Sequence, residues 1–221
     1  MSKNIVITGT GTEIGKTYFG CLLAKFATDA GIDTHAIKPV ESGCDGSFVE
    51  DGQLLANATG QEWPRQAYIR LHAPLAPCVA ADLEGVNLDP SVWVTAIKES
   101  SPVHDLTLIE TAGGLLSPLA WGFDTTHLAR DLGAACIVVA ANRLGCIHEI
   151  RTVLAVLRHE EIPVVSVILN SRATDQSSKH NLETLKRVEP DVPVFDLPEG
   201  SDLETACAIL SELLALMELK A

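Results

Sequence analysis

Five apolar runs, each only four to six residues long, recur along the chain with helical patterns between them. They are Ile5-Val6-Ile7-Thr8, Thr34 to Lys38, Leu106 to Ile109, Cys136 to Ala140 and Val164 to Leu169. Runs this short, rich in β-branched residues and apolar throughout, suit strands buried on both faces. Helical spacing fills about 17–30, 124–132, 147–160, 178–188 and 202–219, and Gly31 stands where a helix C-cap is expected. The alternation predicts an α/β fold: a doubly wound, mostly parallel sheet with helices on both faces. With 221 residues and no repeat or linker, residues 1–221 read as a single domain. The stretch from Cys44 to Ser101, broken by Pro64, Pro74, Pro77 and Pro90, predicts short helices and substrate-side loops. In the last pattern, Leu203, Leu210, Leu213, Leu214 and Leu216 form a core-facing stripe.

Composition narrows the function classes. The formal charge is −13, and no Lys/Arg run exceeds two residues. That balance argues against nucleic acid or an anionic membrane as partner, because both select a basic face. The longest apolar run, Leu132 to Ala141, is half of what a membrane helix needs. Met1-Ser-Lys-Asn followed by only three apolar residues is no secretion signal, and the six cysteines show no C-x-x-C pair. The expectation is a soluble, reduced, cytoplasmic protein. None of the seven histidines has metal-ligand spacing.

The chemistry begins directly after the first strand, at Gly9-Thr10-Gly11-Thr12-Glu13-Ile14-Gly15-Lys16-Thr17. Glycines let successive backbone N–H groups face an anion, and the helix that follows adds its partial positive N-terminus. Lys16 is then in reach of terminal phosphates, and the Thr17 hydroxyl suits Mg²⁺. The common G-x-x-x-x-G-K-[ST] form needs glycine at position 10, so this loop is one residue longer. A strand, this loop and a helix in that order predict a P-loop NTPase-like nucleotide site.

In an open parallel sheet, ligands gather at the carboxyl ends of the strands. The second run delivers Lys38 there, either a surface lysine or a second cation for phosphoryl oxygens. The third delivers Glu110, where an oxygen ligand for Mg²⁺ belongs; Asp105 precedes that run and falls at the wrong end. Asn170 ends the fifth run and suits either an adenine edge or a turn. Cys146, at a predicted helix start, is either an activated thiol or a packing residue.

Together these segments resemble dethiobiotin synthetases. The matching pieces are GTGTEIGKT (9–17), KPVESG (38–43), ETAGG (110–114) with Ser117-Pro118-Leu119, LGCIHE (144–149) and Asn170, in order over about 160 residues. The resemblance implies an ATP- and Mg²⁺-dependent carboxylation of 7,8-diaminopelargonate with CO₂. A carbamate and its phosphorylated form would lead to ureido ring closure, giving dethiobiotin, ADP and phosphate. It also implies residue roles. Lys16 and Lys38 would neutralise phosphate and carbamate oxygens, and Thr12 and Ser42 would bond the carbamate or diamine end. Thr17, Asp51 (on an Asp-x-x-Leu-Leu pattern) and Glu110 would hold Mg²⁺. The nucleotide would lie on Glu13, Ile14, Gly15, Lys16, Thr17, Tyr18, Thr111, Ala112 and Gly113, with Asn170 reading adenine. Leu197, Pro198 and Glu199 would line the base pocket. A homodimer is implied, its partner contributing Leu144, Gly145, Cys146 and His148 to the substrate pocket. Gly11, Thr111 and His148 depart from the residues usual at those points. The rival on a related fold is a partitioning ATPase. Those proteins typically carry an extra lysine early in the loop, and positions 9–14 contain none.

Overall fold

A computed structural model describes residues 2–62, 64–172 and 175–219. The five runs are strands β1 (Lys3–Gly9), β2 (Thr34–Ile37), β5 (Leu106–Glu110), β6 (Ala135–Ala141) and β7 (Val164–Ser171). A sixth, β8 (Val194–Pro198), completes a sheet ordered β2-β5-β1-β6-β7-β8, every neighbouring pair parallel. Two three-residue strands, β3 (Val40–Ser42) and β4 (Ile69–Leu71), form a separate parallel pair. The sheet is therefore the doubly wound one expected.

The pleat sends alternate side chains to opposite faces, and each face has its own core. Val6, Ile109 and Val138 enter one cluster; Ile5, Ile7, Ile137 and Val139 enter the other. Helices α1 (Lys16–Asp29), α2 (Asp51–Thr59) and α8 (Leu203–Leu216) cover the second face. The first is covered by α3 (Pro77–Glu84), α4 (Pro90–Ser100), α5 (Thr125–Leu132), α6 (Cys146–His159) and α7 (Ser178–Val188). Helix α1 presents Phe19, Leu23, Ala24 and Ala27 inward at helical spacing. Of the C-terminal leucines, Leu210, Leu213 and Leu214 are buried, Leu203 is half-buried and Leu216 is exposed. Asp124 and Asp202 cap α5 and α8 with side-chain bonds to the first-turn N–H groups. Among the described residues, no helix is long and apolar enough to cross a membrane.

This topology sets up the site. β1 lies inside the sheet with β5 on one side and β6 on the other, so loops after all three meet at one edge. The short helices α2, α3 and α4 occupy the Cys44–Ser101 region, as the proline spacing predicts, together with the unforeseen strand β4; α2, α3 and the preceding β3 wall that edge on one side.

Candidate active site

The glycine loop is bent into shape by backbone contacts at both ends. Thr10 N–H donates to the Val139 carbonyl at 3.1 Å, and a Cβ on Gly9 would fall 2.4 Å from that same oxygen. Gly15, which precedes α1, holds φ +93°, and a Cβ there would lie 1.9 Å from Asn170 Nδ2. Glycine is required at both points for space, and at Gly15 also for the left-handed backbone. Glu13 adopts φ +56° without being glycine, a local strain sited at the loop's apex. Asn170 Nδ2 donates to the Ile14 carbonyl at 2.9 Å, so the end of β7 fastens the loop from behind.

Lys16, the first residue of α1, folds back and donates to the Gly11 carbonyl at 2.7 Å. Burial lowers its ammonium to about 8, against the pull of Glu110, while Lys38 lowers it further. Thr17 Oγ1 donates to Glu110 Oε1 at 2.9 Å. Lys38 follows β2, is buried, and contacts two carboxylates: Glu110 Oε1 at 3.1 Å and Asp51. Burial pulls the Lys38 ammonium down, but Glu110, Asp51 and Glu41 together outweigh it, and the net direction is up. Lys38 is therefore a charged, buried cation rather than a surface lysine.

Glu41, a residue whose type alone gave no hint of a role, orients this cluster. Its two oxygens accept the backbone N–H groups of Asp51 (2.6 Å) and Gly52 (3.0 Å), capping the first turn of α2. That places Asp51, the first residue of α2, against Lys38. Gly52 admits the close fit: a Cβ there would meet Ala67 N at 2.7 Å.

Opposite, the segment after β5 closes on the glycine loop. Leu115 N–H donates to the Gly9 carbonyl at 3.1 Å, and Gly114 N–H to Ser117 Oγ at 2.9 Å. Gly113, at φ +73°, leaves space that a Cβ would take from Ser117 Oγ at 2.5 Å. Thr111 is buried beneath this turn, its N–H bonded to the Ile7 carbonyl.

These elements surround one cavity of about 1060 Å³. Of the residues singled out in the sequence, Thr12, Glu13, Gly15, Lys16, Thr17, Tyr18, Lys38, Ser42, Asp51, Glu110, Ala112 and Gly113 line it. The others lie elsewhere. Ile14 turns inward and packs in the core, and Thr111 is buried. Asn170 is behind the loop, its Nδ2 engaged by Ile14. Leu197 is fully buried in the core, so only its neighbours Pro198 and Glu199 are exposed at that strand end. Leu144, Gly145 and His148 lie outside the cavity, with Gly145 and His148 on a separate shallow surface beside Arg151 and Thr152. Cys146 is buried, and burial pushes its thiol up, which decides for packing over activation. Arg172 and Phe48 line the main cavity without any motif having marked them, and Ser117, part of a matching segment but given no role, lines it too.

Glu110 Oε2 is buried with no hydrogen-bond partner among the described residues. Together with Glu110 Oε1, the Thr17 hydroxyl and the Asp51 carboxylate, it makes an all-oxygen donor set of the kind Mg²⁺ takes.

Known proteins resemble the chain over most of its length. A family model described as an AAA domain matches residues 3–208. The ATP-dependent dethiobiotin synthetase BioD of Caulobacter vibrioides (strain NA1000 / CB15N) is 30% identical over 213 residues, covering 94% of this chain and 97% of the relative. That of Anaeromyxobacter dehalogenans (strain 2CP-C) is 31% identical over 96% of this chain and 97% of its own. That of Caulobacter sp. (strain K31) is 34% identical over 96% and 94%. Among solved structures, the MinC:MinD cell division complex of Aquifex aeolicus aligns with TM-score 0.63 at 15% identity, over 100% of this chain and 98% of that one. The pNOB8 ParA structure aligns with TM-score 0.60 at 12% identity, over 99% of both chains. Likeness at that identity establishes a shared P-loop NTPase fold and no more. With similarity extending across nearly the whole length of these enzymes, the chain belongs to the ATP-dependent dethiobiotin synthetases, a family of ligases.

Proposed function

We propose that the protein is itself a dethiobiotin synthetase, making dethiobiotin, ADP and phosphate from 7,8-diaminopelargonate, CO₂ (or bicarbonate) and ATP. The observation that carries this reading is the joining of Lys16, Thr17, Lys38, Asp51 and Glu110 on one cavity wall. One motif supplies only Lys16 and Thr17; the others arrive from β2, α2 and β5.

The residues divide the work by position. Backbone N–H groups of the loop and the N-terminus of α1 receive the nucleotide phosphates. Lys16 sits at that point and exchanges its Gly11 carbonyl for a phosphate oxygen, a stronger charge-assisted partner. Lys38, held from two sides, offers its third donor to the carbamate and to the phosphoryl oxygens as they rearrange. Thr12 and Ser42 hydrogen-bond the diamine end. The second amine, tethered in the same molecule, closes the ring, so holding the substrate in one pose supplies much of the rate. Thr17, Asp51 and Glu110 would hold Mg²⁺, which when bound neutralises the terminal phosphates. Asn170, through its carbonyl oxygen, and the Pro198–Glu199 strand end face the adenine side. The shallow Gly145–His148 surface serves the partner's cavity in a cytoplasmic homodimer, where Leu144 is the exposed contact.

The test is phosphate release from MgATP and bicarbonate, with and without the diamine, with the product identified by mass. Diamine-dependent release with the dethiobiotin mass is expected. Release indifferent to the diamine would sink the assignment and leave a switch-type ATPase.

A further inference from the structure

The geometry points to Arg172 as a nucleotide-phosphate contact supplied by this chain outside the glycine loop. It extends the nucleotide half of the proposed reading and rests on that half alone. The first argument is charge. The cavity is walled by five carboxylates, those of Glu13, Glu41, Glu50, Asp51 and Glu110, against Lys16, Lys38 and Arg172. A triphosphate brought into that setting remains an anion even with its divalent ion. Lys38 already lies against two of the carboxylates, and Lys16 is engaged by the Gly11 carbonyl. Arg172 is exposed and brings the cavity a third cation.

The second argument is position. Arg172 follows β7, so it emerges at the sheet edge where the loop lies. The two residues before it are fastened: Asn170 to the Ile14 carbonyl, and Ser171 to Asp196 and to Asn142 at 2.8 Å. The backbone that delivers Arg172 is thus tied to the same loop that cradles the phosphates, while the long side chain is left to reach into the cavity. A planar fork on a fixed base suits bidentate phosphate recognition, which a lysine there would not reproduce.

The experiment is direct nucleotide binding by calorimetry on the full-length wild type, Arg172→Gln and Arg172→Lys, with MgATP and MgADP, at low and moderate salt. Loss of one charge-assisted contact predicts affinity about tenfold weaker for both nucleotides in Arg172→Gln, with partial recovery in Arg172→Lys. The variant's affinity is also expected to fall less steeply with salt than the wild type's, a readout that a merely structural role would not move. Thermal melting of the nucleotide-free variants checks that they fold. MgATP and MgADP affinities within twofold of wild type in Arg172→Gln overturn the proposal. A raised KM for the diamine with nucleotide affinity intact also overturns it, in favour of a contact to the substrate's carboxylate. Because binding is read without product formation, a wild type that binds MgATP but makes no dethiobiotin would sink the proposed reaction and leave Arg172 still under test.

Discussion

Replacing Lys38 by methionine keeps the volume of the side chain and removes its charge. The ammonium lies 3.1 Å from Glu110 Oε1, with side-chain exposures of 7% and 1%. At an effective dielectric constant of about 20, that attraction is about 5 kcal/mol before desolvation is counted. Removing the cation leaves Glu110 buried beside Asp51 with no opposite charge from Lys38, and breaking a buried pair costs about 3–5 kcal/mol. The lower end applies here, because Asp51 is 36% exposed and water screens its share. The folded variant is therefore expected to lose about 3 kcal/mol of stability. Its turnover should fall further than stability alone would explain, by about 10²–10³-fold, the range for removing one preorganised donor from developing charge. MgATP affinity should change little, since the loop and Lys16 remain. Denaturant unfolding gives the stability, calorimetry the nucleotide affinity, and single-turnover phosphate release well below the variant's melting point the chemical step. Turnover within threefold of wild type would refute the placing of Lys38 on the reacting oxygens, whatever happened to stability.

Four further outcomes follow from the geometry. Gly15→Ala forces a Cβ to 1.9 Å from Asn170 Nδ2 at φ +93°, so nucleotide binding should vanish and stability fall by about 1–3 kcal/mol; normal calorimetric binding would show the loop to be far more plastic. Asn170→Ala strips the Ile14 carbonyl of its donor, costing about 1–3 kcal/mol in denaturant unfolding and raising the KM for ATP; an unchanged KM would reduce Asn170 to scaffolding. His35 is buried in β2, and burial, with a smaller push from His104, takes its imidazole from 6.5 down to about 4. The folded state then binds fewer protons than the unfolded one below pH 6.5, so stability present above that pH drains away as pH falls toward 4. The loss is about 1.4 kcal/mol per pH unit, and His35→Leu should flatten that acid limb; an identical limb in the variant would exonerate His35. Finally, light scattering should give a dimeric mass; a fully active monomer would remove Leu144 and His148 from the substrate pocket.

How far the chain could be read in advance depended on whether a feature is local. Five of the six strands of the main sheet were legible because each falls on a continuous, mostly apolar run. β8 was not: Asp196 interrupts it and Pro198 ends it, and the Asp196 carboxylate is accounted for by Asn142, just past β6, and Ser171 of β7. β3 and β4 span three residues each, too few for any periodicity to register. The same division holds in the site. Lys38 and Glu110 stand at strand ends and could be placed by topology alone. The capping of α2 by Glu41 joins residues ten apart across an irregular loop, and the Asn170–Ile14 bond joins residues 156 apart, so neither leaves a local signature. Arg172 belongs to no motif and is found only by the cavity it lines. For Cys146 a helix start leaves both an activated thiol and a packing residue open, and burial decides for packing.

The clamp that Glu41 places on Asp51 and Gly52 also separates two inheritances in this protein. The residues from Asp45 to Val49, with Phe48 and Val49 exposed at the cavity mouth, hang between anchored ends, Gly43 and Cys44 bonded to Ala73 and Leu71 and Glu50 to Arg70. Each doubling of such a loop costs about 0.6 kcal/mol in closure entropy, little against the anchors that hold its ends. Insertions and exchanges there are expected to leave Lys16 and Lys38 in place. On the proposed function, the segment is thus a graft point at which a different loop could meet the substrate while the cavity's cations stay where they are.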